Sequence, residues 1–373
     1  MKYTLCITQQ CNMRCQYCYI DKKDTEMSLS IAKKIVDFIF KNTPSKEKID
    51  IGFFGGEPLL EFELIKKITE TIENHPSFNK KLVELTVVTN GTIFSDEIAD
   101  FLNEHHIGFC LSCDGPPFVQ DTFRCLQDGK GSSSIVTNTI RRAKETLLSV
   151  LVNAVYHPQT FRYLPHVVEY LASLGLKRIY LNPDFSAPWS KKEAELLSEI
   201  YGQISKQYID FYLQKKPHFI SLIDSKIAVI LGEGYKPLDR CKMGTGEFAF
   251  TPSGNIYPCE RLIGTDTGNG HCIGNIASGL NREQMSCKTA PGMEINTECI
   301  SCSLKDYCMN WCGCSNYFSS GYYNRVSPFL CLSEKTAILT AFHTFRTLEE
   351  KLGSAFFNNL TEIHTGANCT IGG

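Results

Sequence analysis

Residues 2–20 read KYTLCITQQCNMRCQYCYI. YTLCITQ has the length and apolar content of a short strand, and Cys11, Cys15 and Cys18 follow it at Cys-x3-Cys-x2-Cys spacing. Three thiols in one loop can all face one centre, whereas a helix would spread them around its axis. Downstream, strand, turn and helix recur. SLSIAKKIVDFIFK (28–41) carries apolar residues at helical spacing, with Ser28 or Ser30 as a cap. IDIGFFGGEP (49–58), LVELTVVTNG (82–91), IGFCLSCDGP (107–116), LLSVLVNAVYHP (147–158) and LKRIYLNPDF (176–185) read as strands. LLEFELIKKITETIENH (59–75), DEIADFLNEH (96–105), SSIVTNTIRRAKETL (133–147) and FRYLPHVVEYLASLG (161–175) read as the helices between them. The alternation predicts an α/β fold of parallel strands with crossover helices. Six units are fewer than the eight of a closed barrel, so an open, partial (β/α)6 TIM barrel is expected, with a doubly wound sheet as the competing architecture. The informative residues fall at strand C-termini: the cysteine loop, GGEP, TNG, SCDGP and LNPD.

The 373 residues carry a formal charge of −2, from 38 basic and 40 acidic side chains. That balance gives no general electrostatic reason to bind nucleic acid or an acidic membrane. No apolar run is long enough for a transmembrane helix, and the N-terminus lacks a signal peptide, so a cytoplasmic location is expected. The 18 cysteines are then anomalous, because a reducing compartment does not favour structural disulfides. They concentrate at the N-terminus and between 241 and 331. Thiolate-rich ligation points to iron–sulfur, with zinc or disulfides as the alternatives. Cys6, Cys110, Cys113 and Cys125 lack convincing partners and are read as non-ligands.

The cysteine spacing, the aromatic Tyr17 before the last cysteine, GGEP at 55–58 and TNG at 89–91 together resemble the radical S-adenosylmethionine enzymes, over about residues 5–185. The resemblance implies that Cys11, Cys15 and Cys18 ligate a catalytic 4Fe–4S cluster whose open iron is chelated by S-adenosylmethionine. In that superfamily the reduced cluster cleaves the sulfonium, and the resulting 5′-deoxyadenosyl radical abstracts hydrogen. By the same resemblance Tyr17 sits by the adenine, and Gly55, Gly56 and Glu57 receive the methionine amino group. Thr89, Asn90, Ser112 and Asp114 border the cofactor, with Ser112 on the ribose. Arg162 pairs with the cofactor carboxylate, as a guanidinium can do bidentately. Read without the resemblance, these polar residues cap helices or close turns, and Arg162 is a surface arginine.

SKKEAELLSEIYGQISKQYIDFYLQ (190–214) and ISLIDSKIAVILGEG (220–234) read as two helices linking domains. Then the texture changes to glycine, turns and cysteines. CKMGTGEFAFTPSGNIYPC (241–259) has the pattern Cys-x12-Gly-x4-Cys, with a hairpin at 250–258. CISCSLKDYCMNWC (299–312) has the pattern Cys-x2-Cys-x5-Cys-x3-Cys, and Cys331 follows. This order resembles the SPASM extension of peptide- and protein-modifying radical S-adenosylmethionine enzymes, which carries two auxiliary 4Fe–4S clusters. The implied ligands are Cys299, Cys302, Cys308 and Cys331 for the distal cluster, and Cys241, Cys259 and Cys312 for the proximal one. In sulfatase-maturating relatives a further cysteine sits six residues after the first; here that place is Glu247. Either Cys272, Cys314 or another group completes the proximal cluster, or one iron is open. EKTAILTAFHTFRTLEEKLGSAFFNNL (334–360) reads as one closing helix, and HTGANCTIGG (364–373) as a mobile tail. The expected domains are therefore a radical core at 1–189, a helical linker at 190–235, the extension at 236–335 and a C-terminal helix and tail at 336–373.

Glu260, directly after Cys259, stands where sulfatase-maturating enzymes carry the aspartate that deprotonates substrate; pairing with Arg261 or another neighbouring group is the plainer reading. The leading functional expectation is a maturase acting on a ribosomally made, cysteine-containing peptide, with an open iron holding the substrate thiolate and a thioether or other crosslink as product. The alternatives are formylglycine formation in a sulfatase and, outside enzymes, an electron-transfer protein. The implied partners are the peptide or protein substrate and an electron donor such as flavodoxin or ferredoxin. With only ten residues before the first motif cysteine, no leader-binding domain is expected ahead of it.

Overall fold

The parallel strands curl in strict chain order. They are β1 (Lys2–Thr8), β2 (Ile49–Gly55), β3 (Val83–Thr89), β4 (Gly108–Ser112), β5 (Val150–Tyr156) and β6 (Arg178–Pro183), each hydrogen-bonded to the next. A doubly wound sheet reverses strand order at a switch point. No reversal occurs here, which excludes that alternative and leaves the partial barrel. The computed structural model describes residues 1–237, 239–281, 283–285 and 296–365, with side chains to residue 360. The expected tail lies mostly outside the described residues.

Period-two alternation separates two faces of the sheet. In β2, Ile49, Ile51 and Phe53 are buried, while the intervening Asp50, Gly52 and Phe54 line an interior cavity. In β3, Val83, Leu85 and Val87 are buried, while Thr86 and Val88 line the same cavity. The crossover helices cover the first face. α1 (Leu29–Asn42) starts where Ser28 accepts a hydrogen bond from the Ile31 amide, and it buries Ala32, Ile35, Val36 and Ile39, the i, i+3, i+4, i+7 stripe. α2 (Phe62–Glu73), α3 (Asp96–Glu104), α5 (Ser133–Thr146) and α6 (Leu164–Ser173) repeat the arrangement. A short helix, α4 (Pro117–Phe123), was not expected between them.

Three features differ from the sequence reading. The supposed linker helices are part of the barrel wall. α7 (Lys191–Leu213) buries Leu197, Tyr201, Ile204 and Tyr208, and a two-residue strand, β7 (Phe219–Ile220), pairs parallel to β6 ahead of α8 (Ser221–Leu231). Second, the extension continues the barrel sheet. β8 (Glu247–Phe250) lies parallel to β1, with Lys2 opposite Glu247, and β9 (Asn255–Tyr257) returns antiparallel. The short strands Gly274–Asn275 and Gly279–Leu280 extend that edge. Third, the closing helix is two. One runs Pro328–Leu352, capped by Ser327, and Gly353, at φ 53° and ψ −130°, breaks it from the helix Ser354–Thr365. The longer helix docks on α7 and α8 through Tyr201–Ser333 (2.9 Å) and Ser205–Thr344 (2.6 Å) hydroxyl pairs and the buried Lys226–Glu334 ion pair (2.7 Å). Among the described residues, no helix is long and apolar enough to cross a membrane.

Candidate active site

The cysteine loop leaves the C-terminal end of β1 and is strapped down by the segment after α4. Arg14 donates its amide to the Cys125 carbonyl (2.8 Å), Gln16 its amide to Phe123 (3.0 Å), and Gln127 its side chain to the Cys11 carbonyl (2.7 Å). Lys22 holds the Met13 carbonyl at 2.6 Å. The backbone is thus tied while the thiols stay open: Cys11 and Cys15 are half-buried and Cys18 is exposed. Burial raises the Cys11 and Cys15 thiols above their ordinary range. A bound metal reverses that preference by favouring thiolate, so three thiols on a fixed loop are a fitting donor set for an iron–sulfur cluster.

Tyr17 is locked from two sides. Its hydroxyl donates to Asp114 (2.6 Å) and accepts from Arg124 Nη1 (2.9 Å). Asp114 also accepts the Val155 amide at 3.0 Å, so it braces β4 against β5. Burial raises the Asp114 carboxyl, with Arg124 opposing the shift. Arg124 is 6% exposed, and its Nε has no hydrogen-bond partner. It is the buried cation beside the cysteine loop. Arg162, expected in that role, is exposed, with its guanidinium 5.9 Å from the Phe161 ring centroid, in the turn before α6. Position after a strand does not say which way a side chain turns. The only sequence signal for Arg124 was its place beside Cys125, in a stretch without periodicity.

Glu57 has structural partners besides the cofactor role the resemblance implies. Its carboxylate accepts the Leu59 amide (3.0 Å), the Thr89 hydroxyl (2.7 Å) and the Asn90 amide (2.7 Å). It is fully buried and staples GGEP to TNG. Burial raises its carboxyl, against the lowering effect of those three donors. Gly55 and Gly56 are required by the chain itself: a Cβ would lie 2.1 Å from the Thr8 carbonyl oxygen and 2.0 Å from that of Gln10. Asn90 braces the cysteine loop by donating to Asn12 Oδ1 at 2.9 Å, with Cys11 Sγ at 3.8 Å. Ser112 is half-buried at the end of β4, opposite Asn153.

Inside the barrel is a cavity of about 180 Å³. Tyr17, Tyr19, Asn153 and Asn182 line it, as do Lys2, Asp184, Phe185, Glu260 and Arg261. It runs from the cysteine loop toward the N-terminal end of β1, where the extension supplies Glu260. Glu260 pairs with Lys2 (3.4 Å), and Lys2 also meets Glu247 (2.9 Å). Burial would raise the Glu260 carboxyl, but the Lys2 charge, then its own backbone amide, then Arg261 outweigh it and hold the group below its usual range. The Arg261 guanidinium lies 4.8 Å from the Phe185 ring centroid. Lys2 and Arg261 carry no motif, and only the fold reveals them.

The extension gathers its cysteines in two places. Cys259, Cys312 and Cys314 are buried together with Leu262, against Met243, Trp311, Tyr317 and Phe318. Cys312 and Cys314 Sγ are 3.7 Å apart, and Cys241 Sγ donates to Glu247 at 3.1 Å. The Cys259 thiol sits at about 11: hydrogen bonding with Cys314 lowers it, while burial and the Glu260 and Glu247 charges raise it. Glu247, Cys259 and Glu260 offer donor atoms within 4.8 Å of one another. Cys272 lies elsewhere, packed with Cys6 and Tyr257. Cys299, Cys302, Cys308 and Cys331 are all half-buried, and Cys331 is close enough to perturb both Cys299 and Cys308. Glu334 accepts the Met309 amide (2.7 Å) and Lys226 (2.7 Å) behind Cys308. Such thiol-rich sets suit iron–sulfur better than a hard cation.

Fold and cysteine loop define a class. Residues 5–171 form a radical SAM domain: they match the Radical SAM superfamily, on a partial barrel with a C-terminal extension. Among its relatives, an uncharacterized protein of Methanocaldococcus jannaschii is 28% identical over 276 residues, spanning 72% of this chain and 86% of that one. A serine-type anaerobic sulfatase-maturating enzyme of Bacteroides thetaiotaomicron is 23% identical, over 87% of this chain and 89% of its own. The structure of native anSMEcpe with bound AdoMet and Cp18Cys peptide superposes with a TM-score of 0.76 at 19% identity, covering 94% of this chain and 100% of that one.

Proposed function

We propose that this enzyme oxidises a side-chain carbon of a peptide or protein by the chemistry of sulfatase maturation, converting a cysteine or serine to formylglycine. The observation that carries the reading is Glu260, a carboxylate kept ionised by Lys2 in the cavity that leads from the cysteine loop. Names among the relatives support it: a sulfatase-maturating enzyme aligns over most of both chains, and a protein of the same fold is solved with AdoMet and a peptide.

Cys11, Cys15 and Cys18 would hold the catalytic cluster. The extension cysteines would hold two auxiliary clusters. A donor such as flavodoxin or ferredoxin would reduce the enzyme. When bound, S-adenosylmethionine and the clusters supply a hydrogen-abstracting radical and an acceptor for the second electron. The chain supplies the rest. Arg124, buried behind Tyr17, would supply positive charge for the cofactor carboxylate, and Asn90 and Ser112 would border the cofactor. Asn153 and Asn182, hydrogen-bonded to each other at 2.6 Å, present amides to the substrate. Glu260 takes the substrate thiol or hydroxyl proton, a task for a carboxylate that is already ionised. Lys2 stabilises it before transfer.

The crosslinking reading drew its support from a missing thiol at position 247. Cys314 beside Cys259 and Cys312 offers an ordinary closed site instead, although radical coupling of carbon to sulfur does not need a metal-bound thiolate. Anaerobic incubation of the reconstituted enzyme with cysteine- and serine-containing peptides, followed by hydrazide trapping and mass spectrometry, tests the choice. An aldehyde is expected. A product two hydrogens lighter than its precursor, unreactive to hydrazide and resistant to thiol reductants, would instead establish a thioether.

A further inference from the structure

We infer that Cys314 supplies the fourth thiolate of the proximal auxiliary centre, with Cys241, Cys259 and Cys312, and that Glu247 stays outside the ligand set. The inference rests on the reading that the extension holds an iron–sulfur centre at this place.

Cys314 stands in the first turn of the helix Gly313–Ser320 and is 4% exposed. Its Sγ is 3.7 Å from that of Cys312, and it is hydrogen-bonded to Cys259. Cys241, from the loop before β8, lies close enough to feel the charges of both Cys312 and Cys314. Cys259, Cys312 and Cys314 therefore share one buried cluster, and Cys241 reaches its edge beside Glu247. Cys314 is two residues from Cys312, so the helix start fixes both side chains relative to each other.

Glu247 is the rival donor, and its carboxylate is already committed. Oε1 meets the Lys2 ammonium at 2.9 Å, and Oε2 accepts from Cys241. Turning it onto iron would take one of two carboxylates from a cation that is itself largely buried. A carboxylate is also the harder ligand, and iron–sulfur clusters favour thiolate. Cys272 is excluded by place: its Sγ donates to the Gly274 carbonyl at 3.1 Å, and it packs with Cys6, Ala249 and Tyr257. A centre closed by four thiolates has no position for a substrate thiol. It can accept an electron from a serine substrate as readily as from a cysteine one, and Glu247 is left to orient Lys2 toward Glu260.

The test uses the full chain with Cys11, Cys15 and Cys18 replaced by Ala, so that only auxiliary iron remains. Iron and sulfide content and the EPR spectrum of the reduced protein are compared for Cys314→Ala, Glu247→Ala and Cys259→Ala. With two centres of equal size, Cys314→Ala should lose roughly half of the remaining iron or replace the proximal signal by that of a three-iron species. Glu247→Ala should keep iron and spectrum. An unchanged Cys314→Ala, or loss of the centre in Glu247→Ala alone, would overturn the assignment. Cys259→Ala with unchanged iron and spectrum would show that no proximal centre exists, a failure of the underlying reading and not of the ligand choice. Should Cys314→Ala not fold, the conservative Cys314→Ser decides: it should alter the proximal EPR signal, and a signal identical to that of the unaltered protein would sink the proposal.

Discussion

The cysteine loop and the proximal cysteines of the extension use one side-chain chemistry in opposite settings. The loop fixes its backbone from Cys125, Gln127 and Lys22 and leaves its thiols at an open mouth. The proximal set buries its thiols among Leu262, Trp311 and Phe318 and puts carboxylates beside them. An open thiol set can share its metal with an incoming ligand. A closed one can only exchange electrons. The cavity joins the two, with Tyr17 at one end and Glu260 at the other.

Removing the open site should have the largest effect. Replacing Cys11, Cys15 and Cys18 together with Ala should abolish 5′-deoxyadenosine formation. Iron should fall from about twelve to about eight per chain, the difference being one four-iron cluster. Retained cofactor cleavage at the normal rate would erase the distinction between the two cysteine sets.

Next comes the proton acceptor at the closed end. Glu260→Gln should lower product formation by about 10²–10⁴-fold, the usual worth of a positioned base, while 5′-deoxyadenosine is still formed. Parallel loss of both products would place Glu260 in cofactor binding instead.

A subtler test addresses Lys2. The Glu260 carboxyl is held below its ordinary range, so its ionised form persists as pH falls. Its ion-pair stabilisation is present above the unfolded-state pKa and is lost as pH falls through the lower folded value. Activity should follow the same acid limb, and Lys2→Met should move that limb of the pH–rate profile to higher pH. An unmoved limb would mean that a different group sets it.

The smallest effects separate two arginines. Arg124→Lys should weaken S-adenosylmethionine binding, because a point charge replaces the planar fork that holds Tyr17. Arg162→Ala should leave the dissociation constant unchanged and alter stability by no more than about 0.5 kcal/mol, as surface substitutions do. The reverse order, measured by calorimetry, would restore Arg162 to the cofactor.

All six main strands were legible because period-two alternation and glycine-bearing turns are local signals. β7 is too short to carry a period, and α4 is only seven residues long. The break at Gly353 was hidden by apolar residues that continue through it. The cysteine roles were legible as spacing, but the company those residues keep was not. Lys2 meets Glu247 and Glu260 across 245 and 258 residues of sequence, which no window on the sequence can see. The GGEP motif points to Glu57 as a cofactor residue but does not show that its carboxylate also joins two turns.

The pairing of β1 with β8 also sets a clock for synthesis. Lys2 and Glu247 are 245 residues apart, so the edge of β1 has no partner until most of the chain has left the ribosome. At translation rates of about 5–20 residues per second, that wait is on the order of 10–50 s. An uncovered strand edge is a template for pairing with other chains. A nascent radical core thus spends its first half-minute or so needing a temporary cover, from a chaperone or from its own unfinished helices, before the extension arrives to seal it.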